Sequence, residues 1–149
     1  MNEIRDVRLG ACGWLNPAWC ESFYPADMPD EWQLTYFNTQ FDCVYLEQSF
    51  WRSATPEELV RWHADTHGQF LFLLEGEGMP PSELADKALL ILPGDPAILW
   101  FSHDSSLKEL AALLAADVVG QSRYLISLDG DLGQIERVAT LLDVMGLGQ

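Results

Sequence analysis

Glu47, Glu75, Glu77, His103, Asp104, Asp129 and Asp131 each fall at or just past the end of an apolar run of strand length. In parallel α/β folds, ligands bind beyond the carboxyl ends of the strands. Carboxylates gathered there around one imidazole suit Mg²⁺, Mn²⁺ or Zn²⁺. A metal-assisted hydrolysis would need two or three of them within ligand distance of one ion. The same residues have plainer uses. Asp131, with Gln134 three positions on, reads as a helix cap, and Asp129-Gly130 is a turn signal. Glu75 and Glu77 flank Gly76 and Gly78 in a loop. No metal site and no cofactor are therefore expected; if a metal does bind, Glu47, Glu75, His103 and Asp129 are its candidate ligands. His103 beside Asp104-Ser105 suggests a triad, but triads are set by geometry in space, and no G-x-S-x-G elbow is present. His63 and His67, on or after a helix, read as surface residues.

A second set is aromatic. Trp14, Trp19, Phe23, Tyr24, Phe50 and Trp51 gather in the loops after the first two strands. They could line a ligand pocket, plug a barrel mouth or bury an interface. With the carboxylates they give the pocket candidates Trp14, Trp19, Tyr24, Tyr45, Glu47, Trp51, Glu75, His103 and Asp129; no catalytic residue can be assigned. Gly10 and Gly13, like Gly76 and Gly78, match neither G-x-G-x-x-G nor a P-loop, so no nucleotide signal exists. Cys12, Cys20 and Cys43 fit no zinc spacing. Their odd number suggests a reducing compartment, and Cys12 and Cys43, in apolar runs, read as buried and inert.

These residues need elements to position them. Strands are expected at Arg8–Trp14, Cys43–Glu47, Gln69–Leu74, Pro96–Phe101 and Arg123–Leu128, each apolar throughout. Helices are expected from Asp30, with Gln33 at the capping-box position, and from Thr55-Pro56-Glu57-Glu58, which carries N-cap, proline and capping-box signals together. Others are expected over Ser82–Leu90, from Ser106 with Glu109, and from Asp131 with Gln134. Continuously apolar strands alternating with helices imply a mainly parallel sheet flanked by helices. About five βα units fit 149 residues, whereas a closed (β/α)₈ barrel needs ~250. An open sheet, a partial barrel or half of a dimer remain as architectures, in a single domain over residues 1–149.

Charge restricts the partners. Twenty-three acidic residues against eight basic ones give a formal −15, which repels nucleic acid and anionic membranes. Arg5 and Arg8 are the nearest approach to a basic cluster. A solvated acidic surface accounts for the excess; a cationic or metal-bearing partner is the alternative. No apolar run approaches the ~20 residues that span a bilayer. No N-terminal stretch pairs a basic with an apolar region, so a signal peptide is not expected and a cytoplasmic protein is.

Leu9-Gly10-Ala11-Cys12-Gly13-Trp14, then Trp19 and Phe23-Tyr24-Pro25, resembles the opening of the YecE-like family, domain of unknown function 72. The likeness continues through Tyr36, Phe41-Asp42, Ser49-Phe50-Trp51-Arg52, Trp62 and Phe70-Leu71-Phe72. It is weaker in Phe101-Ser102-His103-Asp104-Ser105 and Leu128-Asp129-Gly130. The resemblance implies a shortened TIM-type barrel and no settled reaction. Where the family has Glu and Asn, this chain has Tyr45 and Glu47; its Lys is Glu75. Its Glu and Arg are Trp100 and Ser102, with His103 kept, and a later Arg and His are Ser127 and Asp129. A basic site has become neutral or acidic. The expectation is a non-catalytic binding or interaction protein, self-associating as a homodimer, with an unidentified small-molecule or protein partner. A metal-assisted hydrolase is the alternative.

Overall fold

The computed structural model describes residues 7–20, 22–116 and 122–146; Arg5 lies outside them. In chain order the elements are β1 (Val7–Cys12), α1 (Asp30–Gln40), β2 (Cys43–Leu46), α2 (Gln48–Arg52), α3 (Pro56–Ala64), β3 (Leu71–Glu75), β4 (Ala88–Ile91), β5 (Ile98–Phe101), α4 (Leu107–Ala116), β6 (Arg123–Ser127) and α5 (Leu132–Val144). The strands form one sheet in the order β4-β3-β2-β1-β6-β5, and every pairing is parallel. The sheet curls as a half-barrel with helices outside it, a truncated TIM-like α/β fold.

Six strands replace the expected five. Ser82–Leu90 is not a helix: a single 3₁₀ turn, Ser82–Leu84, is followed by β4. The polar start at Ser82-Glu83 mimics a helix entry, but Ala88–Ile91 is a short apolar run that gains a full parallel ladder against Phe72–Glu75. Two caps also differ. Pro29, not Asp30, precedes α1 as its N-cap, leaving Asp30 inside the first turn. Asp131 precedes α5 without a side-chain cap bond, and Gln134 instead donates to the Ser105 carbonyl at 2.9 Å. The Thr55 box forms as read. Glu58 N–H donates to Thr55 Oγ1 at 3.1 Å and Thr55 N–H to Glu58 Oε1 at 3.0 Å. Ser106 caps α4 by accepting from Glu109 N–H at 3.2 Å.

Strand alternation sorts the core into two faces. Outward residues such as Leu9, Ala11, Val44, Leu46, Phe72 and Leu125 pack beneath the helices with Phe37, Trp62, Leu114 and Val138. Inward residues Cys43, Tyr45, Leu73, Ile91, Ile98, Tyr124 and Ile126 fill the concave side, with Trp100 against them. Gly10 is required where β1 meets β2: a Cβ there would stand 2.2 Å from the Cys43 carbonyl oxygen. Among the described residues, no helix is long and apolar enough to cross a membrane.

Candidate functional site

The carboxyl ends of the strands carry two polar groups, one on each side of β1. The first joins β2 and β3. Tyr45 points inward, is buried, and donates its hydroxyl to Glu75 Oε2 at 2.7 Å. Glu75 Oε1 accepts from the Gln48 backbone N–H at 3.1 Å, so the carboxylate seats the start of α2. Trp51 Nε1–H donates to the Glu75 carbonyl at 3.0 Å. Burial, then the bond to Glu75, holds the Tyr45 phenol above the ordinary tyrosine range.

The second group joins β5 and β6. Asp129 Oδ2 accepts from His103 N–H at 3.0 Å and meets His103 Nδ1 at 2.8 Å. Its Oδ1 accepts from Asp131 N–H at 3.1 Å. Partial burial pushes the Asp129 carboxyl up, but these bonds to His103 and Asp131 outweigh it, and it falls to about 2. Asp129, with Asp104 adding to it, raises the His103 imidazole. The ring is well exposed and held through Nδ1, a geometry suited to proton transfer.

No hydrogen bond or ion pair links the two groups among the described residues. Nor do any three His, Cys, Asp or Glu side chains there converge as a metal ligand set. Glu47 is exposed beside the first group and borders a cleft of about 160 Å³ with Cys12, Tyr45 and Phe50. Cys43 is buried as expected, but Cys12 is exposed, because β1 ends there and its side chain reaches the cleft. Desolvation, then the Glu47 and Glu75 carboxylates, push its thiol up to about 11, so it is a poor nucleophile at neutral pH.

The aromatic pocket candidates belong to the core beneath the helices. Trp14, Trp19, Tyr24 and Trp51 are all buried. Trp19 stacks on Phe41 at 6.0 Å and donates its indole N–H to the Gly130 carbonyl at 2.8 Å, tying the loop after β1 to the loop after β6. Tyr24 donates its hydroxyl to the Trp14 carbonyl. His63 is half-buried rather than a plain surface residue, and meets the Asp86 carboxylate at 2.9 Å. Sequence reasoning passed over Trp100, whose ring meets Tyr45 edge-on at 4.9 Å. The inward alternation of Ile98 and Trp100 was the available signal.

Residues 8–78 match the model of a family described as Protein of unknown function DUF72. The match spans just under half of the chain. It holds the opening strand, the aromatic loop and the Ser49–Arg52 segment that carry the resemblance, with both partners of the Tyr45–Glu75 bond. His103 and Asp129 lie beyond it. No curated protein and no solved structure matches the chain.

Proposed function

We propose that this DUF72-like chain is a non-catalytic binding or interaction protein that self-associates through its open sheet. The observation that carries this reading is the use made of the polar strand ends. Glu75 is bonded to Tyr45 and Gln48, and Asp129 to His103 and Asp131, so both carboxylates brace loops. Self-association is supported by β4 and β5, each paired on one side only. Such edges are normally covered. Leu89 on β4 and Leu92 after it are exposed beside that edge. Light scattering across a concentration series tests this: a dimer whose dissociation rises on Leu89→Lys is expected, and a monomer at every concentration overturns self-association.

The exposed His103 imidazole, held by Asp129 through Nδ1, favours a second reading, a metal-assisted hydrolase; of its candidates Glu47, Glu75, His103 and Asp129, only His103 and Asp129 stand in one group. Titration of the labelled protein with Mg²⁺, Mn²⁺ and Zn²⁺, followed by NMR, separates the two. Localised shifts at these residues, lost on His103→Ala, would support the hydrolase; silence at millimolar metal would remove it.

A further inference from the structure

A groove of about 280 Å³ runs between α1 and α3 and shares Trp14, Leu15 and Phe50 with the cleft beside Tyr45 and Glu47. Its floor is aromatic and aliphatic. Phe50 stacks on Trp62 with centroids 5.6 Å apart, Trp14 meets both edge-on, and Leu34 completes the floor. Leu15, half-exposed, stands at one end. The walls are acidic: Asp30 and Glu31 from the first turn of α1, Glu58 and Asp65 from either end of α3. One cation, Arg61, sits among them. Its guanidinium bonds the Glu31 carbonyl at 3.2 Å and lies 3.5 Å from both the Glu31 and the Asp65 carboxylates.

We propose that this groove docks a basic segment of a protein partner, an apolar anchor residue flanked by lysine or arginine. The four carboxylates outnumber the single guanidinium, so the walls keep an excess of negative charge over an apolar floor. That combination attracts a cation joined to an apolar body and repels acidic or phosphate-bearing chains. Arg61 shows the chemistry within the molecule, a guanidinium held by this acidic wall. The volume lies below the ~300–1,000 Å³ usual for small-molecule sites, which suits one anchoring side chain of a longer peptide. The site is independent of the sheet edge, so a monomeric chain would overturn self-association and leave the groove standing.

The test uses the whole protein and two fluorescein-labelled peptides, Lys-Lys-Leu-Phe-Lys-Lys and Lys-Lys-Ser-Ser-Lys-Lys, in fluorescence anisotropy. Salt is held at ~150 mM, where screening acts within ~8 Å. The apolar-centred peptide should bind at least ~5-fold tighter, since burying the one anchoring side chain is worth more than ~1 kcal/mol. Asp30→Asn with Glu31→Gln should weaken it by ~5-fold or more, and Leu15→Ser by a smaller factor. Glu109→Gln with Glu136→Gln, the same charge change on α4 and α5, should alter it by less than ~2-fold. The Trp14 and Trp62 indole N–H signals should shift on titration. Equal affinity for the two peptides, equal weakening by both charge-neutralised pairs, or no binding would each overturn the proposal, the first two by revealing bulk charge attraction alone.

Discussion

Lys87→Met should destabilise the fold by about 1–2 kcal/mol, with a pH signature that identifies the cause. Lys87 is 5% exposed, an unusual place for a lysine. Its ammonium donates to the His63 carbonyl at 2.8 Å, the Thr66 carbonyl at 2.7 Å and Thr66 Oγ1 at 3.0 Å. These carbonyls close the end of α3, so Lys87 satisfies acceptors that the helix leaves open. Methionine fills nearly the same volume and supplies no donor. The Thr66 carbonyl then loses its partner at ~1–3 kcal/mol, the His63 carbonyl keeps only the Thr66 hydroxyl at 3.3 Å, and the helix terminus loses a favourable cation worth ~0.3–1. Against this, the variant no longer buries a charge, which offsets part of the loss. Burial lowers the Lys87 pKa from the ordinary lysine value of 10.5. The unfolded chain therefore binds more protons than the folded one between the two values. Wild-type stability should rise, relative to the variant, as pH climbs through the folded pKa toward 10.5. Urea unfolding at neutral and alkaline pH reads both effects. A variant at least as stable as wild type at pH 7 would refute the reasoning, because desolvation would then outweigh the hydrogen bonds.

Gly10→Ala should cost more than ~3 kcal/mol or abolish folding, because the new methyl meets Cys43 backbone that cannot move without parting β1 from β2; soluble expression and thermal melting check it. Trp19→Phe should lose ~2–3 kcal/mol by thermal melting, from smaller stacking area and an unpaired Gly130 carbonyl; an unchanged Tm would return Trp19 to the list of pocket residues. In an NMR pH titration Asp129 should titrate near 2, with its contribution to stability present above about 4 and lost as pH falls toward 2. Asp129→Asn should bring the His103 pKa back down toward 6.5, and an unmoved His103 would show that the pair does not form in solution.

What could be read from the sequence was what depends on near neighbours. The Thr55–Glu58 box and the Ser106 cap are local, and both form. The apolar runs became strands, since continuous apolarity is what burial on both faces demands. Ser82–Leu90 was misread because β4 is decided by its partner: four residues carry little period of their own, and only pairing with β3 makes them a strand. Asp131 and Gln134 show the same limit, as the Gln134 amide N–H reaches the Ser105 carbonyl across the loop after β5 and closes no box on Asp131. The separation of the carboxylates into two groups was equally illegible, because it depends on which strands are neighbours. Lys87 gave no sequence signal at all, since its partners are 21 and 24 residues away.

The strand order says where the barrel is incomplete. Traversed from β5, it runs β5-β6-β1-β2-β3-β4, the cyclic order of a closed barrel with its breach between β4 and β5. Loss of strands after β6 alone would have left β1 at an edge, whereas β1 lies between β2 and β6. Only residues 92–97 join β4 to β5, which point the same way, so this connection must return along the open side. Trp100 donates its indole N–H to the Pro93 carbonyl in that connection at 2.9 Å and sets its ring on Tyr45, which bonds Glu75. Tyr45, Glu75 and Trp100 are also three positions where the resemblance to the YecE-like family implies charged residues. They touch one another in sequence across the concave side, so these departures form one packed unit. A wall with a breach cannot keep isolated charges dry; an aromatic pair fills the space beside it and leaves its one carboxylate hydrogen-bonded.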